Sequence, residues 1–115
     1  YDPPRNLALV GPDGIVGGIG LNLTDAPNHR HDGEIGYWLG QPYWRQGLMT
    51  TAVPAFMAWA AAAHDLRRFT ARVYEGNEAS IKLLERCGFQ CEGTMRGAVI
   101  KEGAALDLLV FGRLV

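Results

Sequence analysis

The stretch that decides the fold is Gln41-Pro-Tyr-Trp-Arg-Gln-Gly-Leu-Met-Thr-Thr-Ala52, which follows an apolar strand and opens an alanine-rich helix. The first four N–H groups of a helix lack intrahelical acceptors, and the aligned peptide dipoles place partial positive charge at that end. A glycine turn between a strand and a helix start is therefore a site for an anion. Phosphate is the group that such a site suits best.

The spacing of residues narrows the kind of phosphate. A nucleotide P-loop requires a lysine directly after its second glycine, and no such lysine follows Gly47. The dinucleotide fingerprint requires three glycines, whereas residues 44–52 contain only Gly47. What remains is a diphosphate, as in coenzyme A, held by successive backbone N–H groups with one charged side chain beside them. The predicted cofactor-binding residues of this loop are Arg45, Gln46, Gly47, Leu48, Met49 and Thr50.

Two linked motifs carry a family resemblance. Tyr43–Thr50 resembles the acyl-CoA loop of the GNAT acetyltransferase superfamily, in the form found in the branch that acetylates the N-termini of ribosomal proteins. Gly36–Leu39 is similar to the strand before that loop. Asn77–Ser80, followed by Leu83–Phe89, resembles the second signature of the same branch. The resemblance covers roughly residues 7–114.

The loop departs from that branch at two positions. Met49 stands where the family usually has Ala or Gly, and Thr51 stands where this branch usually has Glu. A larger residue at position 49 would narrow the approach of the diphosphate. A flexible methionine can instead point into the core, and we expect this second arrangement.

Length and composition limit the class of protein. The 115 residues, of which 48% are hydrophobic and 20% charged, are typical of one globular domain, here residues 1–115. The net charge of −1 provides no basic field, so nucleic acid and anionic membrane surfaces are disfavoured as partners. The longest apolar run, Ala52–Ala63, falls short of the ~20 residues that span a bilayer. With no signal-like start, we expect a cytoplasmic monomer or homodimer.

No metal site is expected. The two cysteines, Cys87 and Cys91, lie far in sequence from the histidines and lack the spacing of zinc ligands. Two reduced thiols suit a reducing cytoplasm.

The residue patterns predict strands and helices in the following order: a hairpin of residues 6–10 and 15–23, a strand over 34–39, a helix over 48–63, a strand over 68–74, a helix over 78–87, and antiparallel strands over 90–96 and 104–114. The strand-helix-strand unit implies that strands 34–39 and 68–74 run parallel with a right-handed crossover. Asn77 is predicted to cap the second helix and Gly88 to close it. Pro54 is expected to kink the first helix.

The resemblance implies an α/β (α+β) fold with a GNAT-like mixed central sheet and two helices. Its two parallel strands splay apart, and the pantetheine arm of the cofactor lies in the gap. The family normally begins with a further strand and two helices that wall the acceptor site, and residues before Tyr1 would be needed to form them. Either the chain is a fragment of a longer product or part of that wall is absent, and the sequence leaves both open.

Transfer of an acetyl group to an amine requires a neutral nucleophile. A lysine with a pKa near 10.4 is neutral in only about one molecule in 2,500 at pH 7, whereas an α-amine with a pKa near 8 is neutral in roughly one in ten. Glu34 is the candidate base, acting through a water, because it resembles an acidic position that this branch uses. The alternative is an ordinary exposed carboxylate.

The remaining candidates serve the oxyanion and the leaving thiolate. Ser80 resembles the position proposed to protonate the thiolate, and the alternative is a helix hydroxyl bonded to a nearby carbonyl. The tyrosine that many relatives have one turn later is Leu84 in this chain. A backbone N–H at Trp38 or Leu39 is the expected oxyanion donor. The other candidates are Asn77, as a helix cap or a cofactor contact, and Tyr37 and Trp38, as acceptor-pocket or core residues.

The resulting hypothesis is an N-acetyltransferase that moves an acetyl group from acetyl-CoA to a primary amine by direct attack in a ternary complex. The acceptor is a protein N-terminus, a polyamine or a small amine. A covalent route is disfavoured because Cys87 and Cys91 lie outside the expected cleft. The alternatives are a non-catalytic acyl-CoA-binding module and a fragment completed by a partner chain through sheet-edge pairing.

Overall fold

The computed structural model describes residues 3–115, and over that range the chain forms six strands and two helices. In chain order these are β1 (Asn6–Gly11), β2 (Gly14–Asn22), β3 (Asp32–Leu39), α1 (Leu48–Ala63), β4 (Arg68–Tyr74), α2 (Glu78–Arg86), β5 (Gln90–Lys101) and β6 (Ala104–Leu114). The strands make one mixed sheet in the order β1-β2-β3-β4-β6-β5. The predicted mixed α/β architecture is confirmed.

The largest differences from the prediction lie in β3, in the loop before α1 and in β5. β3 begins at Asp32, two residues early, and a 3₁₀ turn over Gln41–Tyr43 precedes α1. β5 continues past the predicted end at residue 96, because the strand bulges between Met95 and Val99 and then pairs with β6 again. Gly97 lies in this bulge with a φ of 60°. The sequence pattern placed the end of the strand just before Gly97, but this glycine is a bulge residue inside β5.

Both helices pack on one face of the sheet. The alternation predicted for β4 is confirmed, because Phe69, Ala71 and Val73 are all buried in a single core cluster. That cluster also contains Val53 of α1 and Leu84 of α2, each with no exposed surface. Burial of each such side chain contributes about 1.5–3 kcal/mol. Residues on the alternate positions of the central strands form the opposite, more open face.

The central parallel strands splay apart. β3 and β4 pair only from Asp32 with Arg68 to Glu34 with Thr70. Beyond that point β3 stays paired with β2 as far as Leu39, and β4 stays paired with β6 as far as Tyr74. Each strand keeps one neighbour while a gap opens between the two. The splayed pair expected from the resemblance is confirmed.

Polar side chains bind the two strands together at the closed end of the gap. The Thr70 hydroxyl donates to Asp32 Oδ1 at 2.9 Å, and Arg68 Nε lies 3.4 Å from Asp32 Oδ2. Arg68 also forms a close ion pair with Glu92 of β5. The gap therefore opens in one direction only, toward Leu39 and the loop that leads into α1.

The N-terminal turn of α2 follows its prediction. Asn77 Oδ1 accepts a hydrogen bond from the Ser80 backbone N–H at 3.3 Å, so the capping role is confirmed. Gly88 follows the helix with a φ of 85°, as predicted for a left-handed closing residue. Pro54 lies inside α1. Within residues 3–115 no helix combines the length and the apolar character needed to cross a bilayer.

Candidate active site

The loop before α1 has the backbone of an anion site. Gly47 is the N-cap of α1 in the left-handed region, with φ 73° and ψ 12°, and no side chain caps the helix end. The first helical bond runs from the Thr51 N–H to the Gly47 carbonyl at 3.3 Å. The N–H groups of residues 48–50 precede that bond and point out of the helix end. The first turn carries no acidic residue, so an incoming anion meets no repulsion there.

Side chains of the loop itself hold this shape. Trp44 Nε1 donates to the Leu39 carbonyl at 2.6 Å, which ties the loop to the end of β3. Gln46 Nε2 donates to the Pro42 carbonyl at 3.1 Å. The Gln46 side chain therefore holds the loop in shape, and its backbone N–H is the group that a ligand could use. Arg45 has a φ of 64°, a conformation that costs a non-glycine residue roughly 1–2 kcal/mol and is concentrated at functional sites.

Gly47 and Met49 are explained by different constraints. A Cβ at Gly47 would meet no atom within 4 Å, so its positive φ is what demands glycine, and the space beside it is open. Met49 is 7% exposed and belongs to the core cluster. Its side chain points away from the loop, as expected, and leaves the helix end clear.

The sheet register decides which N–H groups of β3 face the gap. The Gly40 N–H donates to the Val16 carbonyl of the preceding strand at 2.8 Å. Because bonded pairs alternate along an antiparallel ladder, the N–H of Trp38 also faces β2. The N–H groups of Tyr37 and Leu39 face the gap instead. Of the two predicted oxyanion donors, Leu39 has its N–H directed toward the gap and Trp38 has its N–H directed toward β2.

Trp38 lies elsewhere in the site. Its side chain is 58% exposed on the open face of the sheet, so it is not a core residue. The indole lies against Gly18 of the neighbouring strand, where a Cβ would meet Nε1 at 2.7 Å. Gly36, two residues before Trp38, has open space above it. This face of the sheet is open beside Gly36 and Trp38.

Ser80 and Tyr37 meet on the helix-covered side of the gap. Their hydroxyl groups form a hydrogen bond between β3 and the first turn of α2. The partner of Ser80 is therefore a phenol, in contrast to the carbonyl that an ordinary helix hydroxyl bonds. Burial raises the pKa of Tyr37, and the Ser80 hydrogen bond offsets part of that rise. Leu84, one turn later on α2, is fully buried.

Sequence reasoning placed Tyr37 in an acceptor pocket or the core and missed this contact. The available signal was the alternation of β3, which puts Tyr37 on the same face as the buried Ile35. That face is the one that the helices cover.

Glu34 lies on the opposite face from Ser80 and makes no contact with it. It is the last β3 residue that pairs with β4, so it sits where the gap begins. Its Oε2 lies 3.2 Å from Arg72 Nε, with the two side chains 33% and 51% exposed. Along the strand, Glu34 and Tyr37 are separated by about 10 Å. A group lying in the gap would have the carboxylate on one side and the hydroxyl pair on the other.

The cysteines form no hydrogen bond with Tyr37 or Ser80, and Cys87 lies near enough to Tyr37 to add to the rise in the Tyr37 pKa that burial causes. Both are free thiols, with Cys87 buried and Cys91 exposed. Cys87 follows the last turn of α2, whereas Ser80 lies in the first. Within the described residues 3–115, no group of three or more His, Cys, Asp and Glu side chains has the arrangement of a metal site.

Sequence comparison agrees with this geometry. The family model described as an acetyltransferase (GNAT) domain matches residues 2–90. The chain belongs to the GNAT acetyltransferase family. Members of this family transfer acetyl groups from acetyl-CoA.

Relatives of this GNAT domain include several N-acetyltransferases. An N-acetyltransferase of Bacillus licheniformis, described as uncharacterised, is 35% identical over 102 residues, which are 89% of this chain and 56% of that protein. The ribosomal-protein-serine acetyltransferase of Escherichia coli is 30% identical over 103 residues, or 90% of this chain and 56% of that protein. The chain thus spans about half the length of the curated relatives it matches.

A solved structure shows the same fold. An acetyltransferase of the GNAT family from Streptococcus pneumoniae superposes with a TM-score of 0.91 at 25% identity, covering 100% of this chain and 68% of that one. The GNAT resemblance and the fold class are both confirmed.

Proposed function

We propose that this GNAT domain transfers the acetyl group of acetyl-CoA to a primary amine by direct attack in a ternary complex. The observation that carries the proposal is that the anion loop and the open end of the gap lie together. β3 leads directly from the gap into the loop, and the loop leads into α1. A diphosphate on the N–H groups of residues 45–50, beside Arg45, lets the pantetheine arm enter the gap.

The residues around the gap supply the steps of acetyl transfer. The amine nitrogen attacks the thioester carbon, and the oxyanion that forms accepts a hydrogen bond from the Leu39 N–H. The carbon–sulfur bond then breaks, and Ser80 donates a proton to the departing thiolate. Glu34 takes the proton that the amine loses, through a water, on the open face of the sheet. Catalysis of this kind needs no covalent enzyme intermediate.

A protein N-terminus is the favoured acceptor. At neutral pH an α-amine is neutral several hundred times more often than a lysine side chain, so it needs less help from a base. The open face beside Glu34 and Trp38 gives a chain end room to approach. The relative that acetylates ribosomal-protein serine is consistent with this class of acceptor. Polyamines and small amines are the competing acceptors.

Ligand selectivity tests the cofactor assignment. A ligand at 100 times its Kd stabilises the folded state by about 2.7 kcal/mol. Acetyl-CoA should therefore raise Tm by several degrees, while ATP and NAD at the same concentration should leave it unchanged. Equal shifts with all three would show that the loop is a general phosphate site and would remove the assignment.

Two observations favour a second function, a non-catalytic acyl-CoA-binding module. The proposed base, Glu34, is paired with Arg72, and the usual tyrosine position of α2 holds Leu84. A binding module would show the acetyl-CoA-specific rise in Tm without release of coenzyme A thiol in the presence of any amine. Amine-dependent thiol release excludes it.

A further inference from the structure

We infer that Tyr37 donates a proton to Ser80 as Ser80 protonates the departing thiolate. The inference rests on the proposed function. Tyr37 lies on β3 beyond the last residue that pairs with β4, and Ser80 lies in the first turn of the helix that follows β4. Their hydrogen bond therefore crosses the helix-covered side of the gap. A thioester in the gap passes next to this hydroxyl pair.

A serine that donates its proton to a thiolate needs a neighbouring acid that replaces this proton. A serine that gives up its proton alone becomes an alkoxide, whereas a phenol ionises with a pKa near 10. In the paired arrangement the thiolate sulfur takes the Ser80 proton, forming the S–H bond, while Ser80 Oγ takes the Tyr37 proton. The negative charge ends on the phenolate, which water reprotonates. The proton that the amine releases to Glu34 and water balances this step.

The proposed relay runs from the Tyr37 hydroxyl through the Ser80 hydroxyl to the sulfur. For Ser80 to donate to sulfur, its oxygen must accept from Tyr37. The Ser80 backbone N–H is held by Asn77 Oδ1 at 3.3 Å, which fixes the turn that carries the hydroxyl. Burial raises the pKa of Tyr37, so the phenol carries its proton when the thiolate forms. Leu84, which is fully buried, occupies the position on α2 where many relatives have a tyrosine. In this chain the phenol therefore comes from Tyr37 of β3.

The test is a double-mutant cycle on the wild type, Tyr37→Phe, Ser80→Ala and the double variant. Tyr37→Phe should lower kcat by at least about tenfold and leave the KM for acetyl-CoA within about twofold, because the lost group acts on the leaving thiolate. In the Ser80→Ala background, Tyr37→Phe should have no further effect on kcat. Tyr74→Phe is the matched control, since Tyr74 is exposed and its ring lies under Lys101, and its kcat should equal that of the wild type.

Thermal unfolding of the same four proteins without ligand provides a readout independent of the acceptor. The double variant should lose less Tm than the sum of the two single losses, because either substitution breaks the same hydrogen bond. Additive Tm losses, or kcat losses that multiply in the double variant, would overturn the inference while the proposed function stands. A wild type that binds acetyl-CoA but acetylates no amine would overturn both.

Discussion

Replacement of Gly47 by alanine separates backbone strain from ligand binding. Gly47 has a φ of 73°, and Gly103, in the turn between β5 and β6, has a φ of 80°. A Cβ at either position would meet no atom within 4 Å. The left-handed conformation costs a non-glycine residue roughly 1–2 kcal/mol. Gly47→Ala and Gly103→Ala should therefore lose similar free energies of unfolding, with Tm lower by about 4–8 °C in each.

Only the Gly47 variant should lose affinity for acetyl-CoA. Its methyl group occupies the space through which a diphosphate reaches the helix N–H groups, and one hydrogen bond to a charged group is worth about 1.5–3 kcal/mol. Kd measured by isothermal titration calorimetry should rise by about 10- to 150-fold in Gly47→Ala and by less than about twofold in Gly103→Ala. Equal affinities in the two variants would refute the placement of the diphosphate at this loop.

Three further predictions concern charged residues. Arg45→Asn removes the charge, and asparagine tolerates a positive φ, so thermal melts should show no loss of Tm. The Kd for acetyl-CoA should rise and should depend less on salt concentration than in the wild type. An unchanged Kd would exclude Arg45 from the site. Glu34→Gln should lower kcat at least tenfold at pH 7 and less at pH 9, where more of the amine is already neutral; a pH-independent loss would argue against a base. The hydrogen bond from Arg68 holds the pKa of Glu92 below its ordinary value, so the Glu92 contribution to stability is present above the unfolded-state pKa and disappears as pH falls through the folded-state pKa. Urea denaturation should therefore show a shallower loss of stability below about pH 4.5 in Glu92→Gln than in the wild type, and parallel pH profiles would contradict the pairing.

Local chemistry accounts for what could be predicted from the sequence. The cap formed by Asn77 and the left-handed Gly88 depend on neighbouring residues alone, and both are found as expected. The alternation of β4 identified its buried face for the same reason. The glycine turn that leads into α1 could be predicted because a strand, a glycine and a helix start are consecutive in the chain.

Features that depend on a partner strand could not be predicted. Gly97 interrupts the apparent pattern of β5, and only pairing with β6 shows that the strand continues, with the Gly97 N–H bound to Asp107 Oδ1 at 2.8 Å. The direction of the Trp38 N–H depends on the register with β2. The hydrogen bond of Tyr37 with Ser80 joins residues 43 positions apart, and no local pattern reveals it.

Release of coenzyme A thiol from acetyl-CoA, with mass spectrometry of the acceptor, tests the central claim most directly. The folded protein should release thiol only when an amine is present, and the amine should gain one acetyl group. With an N-terminal peptide as acceptor, the rate should rise from pH 6 to about pH 8, because the neutral fraction of an α-amine rises over that range. A folded protein that binds acetyl-CoA but releases no thiol with N-terminal peptides, polyamines or small amines would contradict the proposed acetyl transfer.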